Sequence, residues 1–168
     1  MPPVDIRNAT LEDCDALRCF ASDLFAERLP GIYDRPAPSA EAERAFMASR
    51  LGPDNATLVV AMVDSEVVGL LDFLGGSYGE DAHAGEFGLS VAREYRGRGI
   101  GSALIEALMD WAPAHGVRRI QASTWSNNPR ASRLYERLGF VCEGVRRGAI
   151  VSGGETLDVL VLVRMLEA

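Results

Sequence analysis

The part of this sequence best equipped for chemistry is a single turn, Arg96-Gly97-Arg98-Gly99-Ile100-Gly101. It follows a short β-rich run, Glu86 to Val91. It precedes Ile100, Ala103, Leu104, Ala107, Leu108 and Trp111, whose spacings of 3, 1, 3, 1 and 3 trace one face of an α-helix. The glycines therefore fall where a strand gives way to a helix N-terminus. N–H groups in a first helical turn have no intrahelical partners, and aligned peptide dipoles place about +0.5 charge there. Glycines let a ligand approach the backbone closely and permit φ > 0. Such a turn suits phosphate or pyrophosphate, and the Arg96 and Arg98 side chains can fork onto phosphate oxygens. A glycine-rich loop that merely turns the chain is the competing reading.

Two familiar phosphate motifs do not fit. A P-loop needs G-x-x-x-x-G-K-[ST], and no Lys follows these glycines. The dinucleotide fingerprint needs G-x-G-x-x-G, and Gly97-x-Gly99-x-Gly101 has the wrong final spacing. Composition narrows the classes further. The chain has 168 residues, 48% of them hydrophobic, which suits one domain over residues 1–168 with a sizeable core. A formal charge of −7 disfavours nucleic acid as partner. The longest apolar runs, such as Leu58 to Val63, fall far short of the ~20 residues of a spanning helix, so no membrane partner is expected. The N-terminus carries no basic start followed by an apolar stretch. With an odd set of cysteines (Cys14, Cys19, Cys142), that points to a cytoplasmic protein with free thiols. No metal-ligand spacing occurs, and His83 and His115 lie far apart.

The elements that must position the turn read off the periodicity. Val4 to Ala9 alternates as a strand does. Thr10 with Asp13 three residues on marks the start of a helix, Leu11 to about Phe25, with Cys14, Leu17, Ala21 and Leu24 on one face. Prolines and glycine break Leu29 to Ser39 into a loop. A second helix covers about Ala40 to Arg50. Asn55 to Val63 and Glu66 to Leu74 are strands joined at Asp64-Ser65, and Gly75 to Glu80 is a turn. After the strand Glu86 to Val91 and the helix from Ile100 come a strand, Val117 to Trp125, and a short helix, Pro129 to Leu138, stopped by Gly139. Phe140 to Val151 and Leu157 to Met165 are strands joined through Ser152-Gly153-Gly154. The order βααβββαβαββ predicts an α/β (α+β) fold: a mixed, mainly antiparallel sheet of about seven strands, flanked on both faces by about four helices.

Two blocks carry a family resemblance. Arg96 to Gly101 matches [QR]-x-x-G-x-[GA]. Asn128-Pro129-Arg130-Ala131 with Leu134-Tyr135 and Gly139-Phe140 matches N-x-x-A…L-Y-x-x-x-G-F. Together, and in this order, they resemble the GNAT-type N-acetyltransferase superfamily. The resemblance covers nearly the whole chain and is most specific over residues 86–140.

That resemblance implies acetyl-CoA as acetyl donor. Its pyrophosphate would lie on the amides of Arg96, Gly97, Arg98, Gly99, Ile100, Gly101 and Ser102. Its pantetheine arm would bond main-chain groups of Leu89, Ser90 and Val91, wedged between two splayed strands. A β-bulge on the first of these, eased by Gly88, is expected. Asn128 matches a cofactor-contacting residue and also suits a helix N-cap before Pro129. Tyr135 matches the usual general acid, which would protonate the departing thiolate; its other reading is a core aromatic. Some relatives carry a Glu five residues before the Asn, but Ser123 stands there. Glu86 is the alternative base, acting through water, or else a solvated strand-end carboxylate. A dedicated base is dispensable if the amine is held close to the thioester.

For the acceptor, the resemblance points to the variable parts: the Leu24 to Ser39 loop, the Gly75 to Gly85 turn and the last hairpin. Glu27, Asp34, Glu80, Asp81, Glu155 and Asp158 there can attract a cationic amine or can be ordinary surface. Arg146 and Arg147 suit a carboxylate or the cofactor's phosphates. The Phe140 to Met165 tail is loosely similar to members that acetylate small amines, including amino-acid-like molecules and polyamines. The expected activity is acetyl transfer to a primary amine of a small molecule by direct attack on the thioester. A protein amine and a non-catalytic acyl-CoA-binding module are the alternatives. A homodimer is possible; the apolar Leu157 to Leu162 strand can pair with a partner's edge or be an ordinary interior strand.

Overall fold

A computed structural model describes residues 2–167. Seven strands form one sheet in the order β1-β2-β3-β4-β5-β7-β6. In chain order the elements are β1 (Asp5–Asn8), α1 (Cys14–Ala26), α2 (Ala40–Leu51), β2 (Ala56–Val63), β3 (Glu66–Gly75), β4 (Ala84–Val91), α3 (Ile100–Trp111), β5 (Arg119–Trp125), α4 (Pro129–Arg137), β6 (Val141–Ser152) and β7 (Glu155–Met165). Every strand pair is antiparallel except β4 with β5. This is the architecture the sequence predicts.

Alternation along the central strands sorts the core into two layers. Val59, Ala61, Leu71 and Phe73 face α3, where they meet Ile100, Leu104, Ile105 and Leu108, with Leu134 and Tyr135 of α4 alongside. Leu58, Val60 and Met62 face α1 and α2, against Leu17, Phe20, Leu24 and Met47. Leu104 and Leu108 are fully buried, and each contributes about 2 kcal/mol of burial. β2 is buried on both faces along its whole length, which is why it reads as a continuous apolar run.

Local signals set the boundaries. Leu11–Asp13 is a 3-10 turn rather than the first turn of α1. Asp13 is occupied there: it accepts from the Thr10 N–H at 2.8 Å and takes both Nη atoms of Arg7 at 2.9 and 2.8 Å. The buried stripe of α1 runs through Phe20 rather than Ala21. Ser39 caps α2 by accepting from the Ala42 N–H at 3.1 Å. Asp64 and Ser65 both have positive φ, 47° and 69°, the twist that lets a two-residue turn join β2 to β3.

One expectation is corrected here. β4 has no bulge: its register with β3 runs unbroken from Gly69↔Val91 to Gly75↔Gly85. The irregularities lie between β2 and β3, and between β6 and β7. The Leu157 to Leu162 strand takes its interior reading. β7 is hydrogen-bonded to β5 on one side and β6 on the other, so β1 and β6 form the edges. No described helix is long and apolar enough to cross a membrane.

Candidate active site

The site begins where β4 and β5 part. Their parallel pairing runs only from Ala84↔Arg119 to Phe87↔Ala122. Beyond it, residues 88–91 and 123–125 diverge, and a cleft of about 730 Å³ opens between the strands and the starts of α3 and α4. The splay expected of a bulge is thus produced by pairing that simply stops.

One wall is the exposed edge of β4. The Ala92 N–H donates to the Val68 carbonyl at 2.8 Å, so alternation makes Leu70 and Ser90 the next hydrogen-bonded pair. The main chain of Ser90 is thereby committed to β3, and only its side chain is left for a ligand. Leu89 and Val91 turn their main-chain groups to the open edge. The Val91 carbonyl already accepts from Arg96 Nε at 2.8 Å. Leu89 therefore offers the fullest free edge of the three.

The floor is the glycine-rich turn. Gly97 and Gly99 have φ of +75° and +83°, the left-handed region that favours glycine, and Gly99 caps α3. The first main-chain bond into α3 is Ala103 N–H to the Gly99 carbonyl, at 3.0 Å. Among the described residues, the amides of Gly97, Arg98, Gly99, Ile100, Gly101 and Ser102 have no protein acceptor. The Arg96 amide does, bonding the Arg93 carbonyl at 3.4 Å. A Cβ on Gly99 would meet nothing within 4 Å, so the turn is open on the side the ligand must approach. This donor array at a helix start fits a diphosphate.

The arginines divide differently from expectation. Arg96 forks onto Glu27, each Nη donating to one Oε at 2.8 Å, so its guanidinium is not free for phosphate. That pairing holds the Glu27 carboxyl below its ordinary range. Arg98 lies over the Tyr95 ring, 5.4 Å from its centre, outside the cleft wall. The cations at the cleft are instead Arg130, Arg133 and Arg137 of α4. Arg130 Nη2 comes within 3.5 Å of where a Cβ on Gly97 would stand. Sequence reasoning missed these three, although their spacings of 3 and 4 put them on one helical face.

Asn128 fills its N-cap reading, its side-chain oxygen accepting from the Ala131 N–H at 3.3 Å. Its amide also donates to the Pro30 carbonyl at 3.3 Å, tying α4 to the loop after α1. Leu29 to Ile32 of that loop line this cleft, beside the glycine turn.

Tyr135 stands in the same cleft. It is buried, edge-on to Phe87 with ring centres 5.5 Å apart. Burial, with a smaller push from the Glu86 charge, lifts its phenol to about 12. It therefore carries its proton throughout the physiological range. Glu86 does not line this cleft. It faces a second cavity on the α2 side of the sheet, which shares Phe87 and Gly88 with the first, and Gln121 Nε2 donates to it at 3.2 Å. Of the acidic residues expected to meet an amine, Glu27 is bound to Arg96, and Asp158 accepts from Arg147 at 2.7 Å and from the Gly148 N–H at 2.8 Å. Asp81 lines the second cavity. Asp34, Glu80 and Glu155 are exposed.

Comparison with known proteins agrees with this geometry. The Acetyltransferase (GNAT) family model matches residues 20–140. The chain belongs to that family, an N-acetyltransferase class whose acyl donor is acetyl-CoA. It is 27% identical to the L-amino acid N-acetyltransferase AaaT of Escherichia coli K12, covering 98% of this chain and 99% of that protein. Its fold matches a GNAT-family acetyltransferase of Streptococcus pneumoniae with a TM-score of 0.90, at 23% identity over 98% of this chain and all of the other. A Salmonella typhimurium putative acetyltransferase, solved with acetyl-CoA, matches with a TM-score of 0.88 at 23% identity, over 99% of this chain and 95% of that one.

Proposed function

We propose that this chain moves the acetyl group of acetyl-CoA onto the primary amine of a small molecule. The observation that carries the reading is the run of unpartnered amides from Gly97 to Ser102, opening on the cleft that Tyr135 also lines. These amides hold the diphosphate, Arg130 and Arg133 add charge beside it, and Leu89 offers a free strand edge to the pantetheine arm. Acetyl-CoA supplies the acetyl group as a thioester, which the amine attacks directly.

Tyr135 holds the proton that the departing sulfur needs. A phenol near 12 is a weak acid toward a thiolate of pKa ~8.5. The transfer balances because the nitrogen must itself lose a proton on becoming an amide, and the phenol oxygen can take that proton as it gives up its own. Glu86 accepts the acceptor ammonium's other proton through water, from the far side of Phe87 and Gly88. The amino-acid acetyltransferase relative supports a small amine as acceptor over a protein amine.

The test is thiol release on mixing the protein with acetyl-CoA and a panel of amines. Release with small amines supports the reading. Release with a peptide amine alone moves the acceptor to proteins. Saturable acetyl-CoA binding with no release from any amine makes the chain a non-catalytic binding module.

A further inference from the structure

The second cavity, about 640 Å³, lies on the α2 side of the sheet and meets the acetyl-CoA cleft at Phe87 and Gly88. Its walls carry Arg50 of α2, Asp72 of β3, Glu86 of β4, and Arg119 and Gln121 of β5. Asp72 is a mid-strand carboxylate between Leu70 and Leu74, which share its face. It stands opposite Gly88 in the β3–β4 register, and a Cβ on Gly88 would fall 2.6 Å from Asp72 Oδ1. Only glycine at 88 leaves this carboxylate its place, one residue past the last β4–β5 pair.

Arg50 and Asp72 pair through one bond, as Arg119 with Glu143 and Arg147 with Asp158 do, and not through a fork. Arg7 with Asp13 and Arg96 with Glu27 both fork, two Nη atoms onto two carboxylate oxygens. Arg50 reaches Asp72 through Nε alone, onto Oδ2 at 3.1 Å. Its Nη1 donates to Ser49 Oγ at 2.8 Å, and the guanidinium lies over the Phe46 ring, 5.0 Å from the centre. Among the described residues, Arg50 Nη2 and Asp72 Oδ1 have no side-chain partner, and both residues line the cavity. A forked pair uses both oxygens and both terminal nitrogens; this one leaves one of each for a ligand.

We infer that Arg50 and Asp72 recognise the acceptor and read an α-amino acid by both its charges, Arg50 taking its carboxylate and Asp72 its ammonium. The inference rests on the N-acetyltransferase reading above and names the acceptor that this chain's own residues fit. An ammonium at Asp72 Oδ1 lies over Gly88, at the junction with the cleft that holds Tyr135. Glu86 flanks the same position. Arg119 is paired with Glu143 and so competes less for the ligand's carboxylate than Arg50 does. Arg35 from the loop after α1 and Asp81 from the β3–β4 turn complete the charges around Asp72. A site that pairs with a substrate carboxylate discriminates against the analogue that lacks one, which forgoes that contact.

The experiment is steady-state thiol release at saturating acetyl-CoA, with L-amino acids and with the matching primary amines that lack the carboxylate. The wild-type protein is expected to favour the amino acid at least hundredfold in kcat/KM. Arg50→Gln should lower kcat/KM for the amino acid at least tenfold more than for the simple amine, mainly through KM, and be partly rescued by Arg50→Lys. Asp72→Asn should raise KM for both. An equal loss on both substrates in Arg50→Gln, or a wild-type preference for simple amines or a peptide, overturns the proposal and leaves the N-acetyltransferase reading standing. Absence of release from every amine, with acetyl-CoA bound, overturns both.

Discussion

Arg96 and Glu27 lie 69 residues apart in sequence and meet through a two-bond fork, each Nη to its own Oε at 2.8 Å. Glu27 is the C-cap of α1, and Arg96 opens the glycine-rich turn. The pair therefore fastens the turn to the opposite layer of the protein, while Nε holds the Val91 carbonyl at the end of β4. The arginine of the motif acts here on the shape of the turn rather than on the ligand.

A pH dependence follows. Both side chains are about four-fifths covered, at 20% and 18% exposure, so the fork is only weakly screened. The Glu27 carboxyl titrates below its ordinary 4.5 in the folded protein because Arg96 bonds its charged form. A depressed carboxyl contributes its stability above the unfolded value, and that stability is lost as pH falls through the folded value. Glu27→Gln should lower unfolding free energy at pH 7 by about 2 kcal/mol. Its stability should then fall less steeply than wild type below pH 4.5. Denaturant titrations across that range check both.

Gly99→Asp tests the turn. A Cβ there meets no atom within 4 Å, so folding bears only the left-handed backbone cost, about 1–2 kcal/mol. The carboxylate, however, stands among the amides proposed to receive the diphosphate. Acetyl-CoA affinity by calorimetry should fall at least hundredfold while the cooperative melt survives a few degrees lower.

Tyr135→Phe separates binding from chemistry. The ring packs against Phe87 and Phe140, and phenylalanine keeps both contacts. Turnover should drop about 10²- to 10³-fold, with acetyl-CoA affinity unchanged within twofold. Because the phenol titrates near 12, the wild-type rate should show no Tyr135-dependent decline as pH rises to the alkaline end of a practical assay.

Arg130 reaches the glycine turn, its Nη2 3.5 Å from where a Cβ on Gly97 would stand. Arg130→Ala should weaken acetyl-CoA binding about tenfold at low salt, the worth of one charge-assisted contact. The gap from wild type should narrow as ionic strength rises. Affinities at several salt concentrations decide it.

Much of the fold is legible in the chain because it rests on local rules. The helix from Ile100 shows in its apolar spacing, the two-residue turn in Asp64-Ser65, and the α4 cap in Asn128-Pro129. What escapes is set by partners distant in sequence. Nothing near Arg96 announces that Glu27 will claim it. The sequence of β4 alone does not show that Ser90 bonds to β3 while Leu89 faces the cleft, since that depends on register. Asp72 reads as one more acid until its place over Gly88 is known. Arg130, Arg133 and Arg137 share one helical face by their spacing, but that spacing alone does not say whether the face meets a cleft or solvent.

Whether the amides from Gly97 to Ser102 receive the diphosphate is decided by following amide resonances by NMR during titration with acetyl-CoA. Large, saturable shifts are expected at Gly97, Gly99 and Gly101, and these are lost in Gly99→Asp. Saturable binding that leaves these three resonances in place while shifting others places the diphosphate elsewhere.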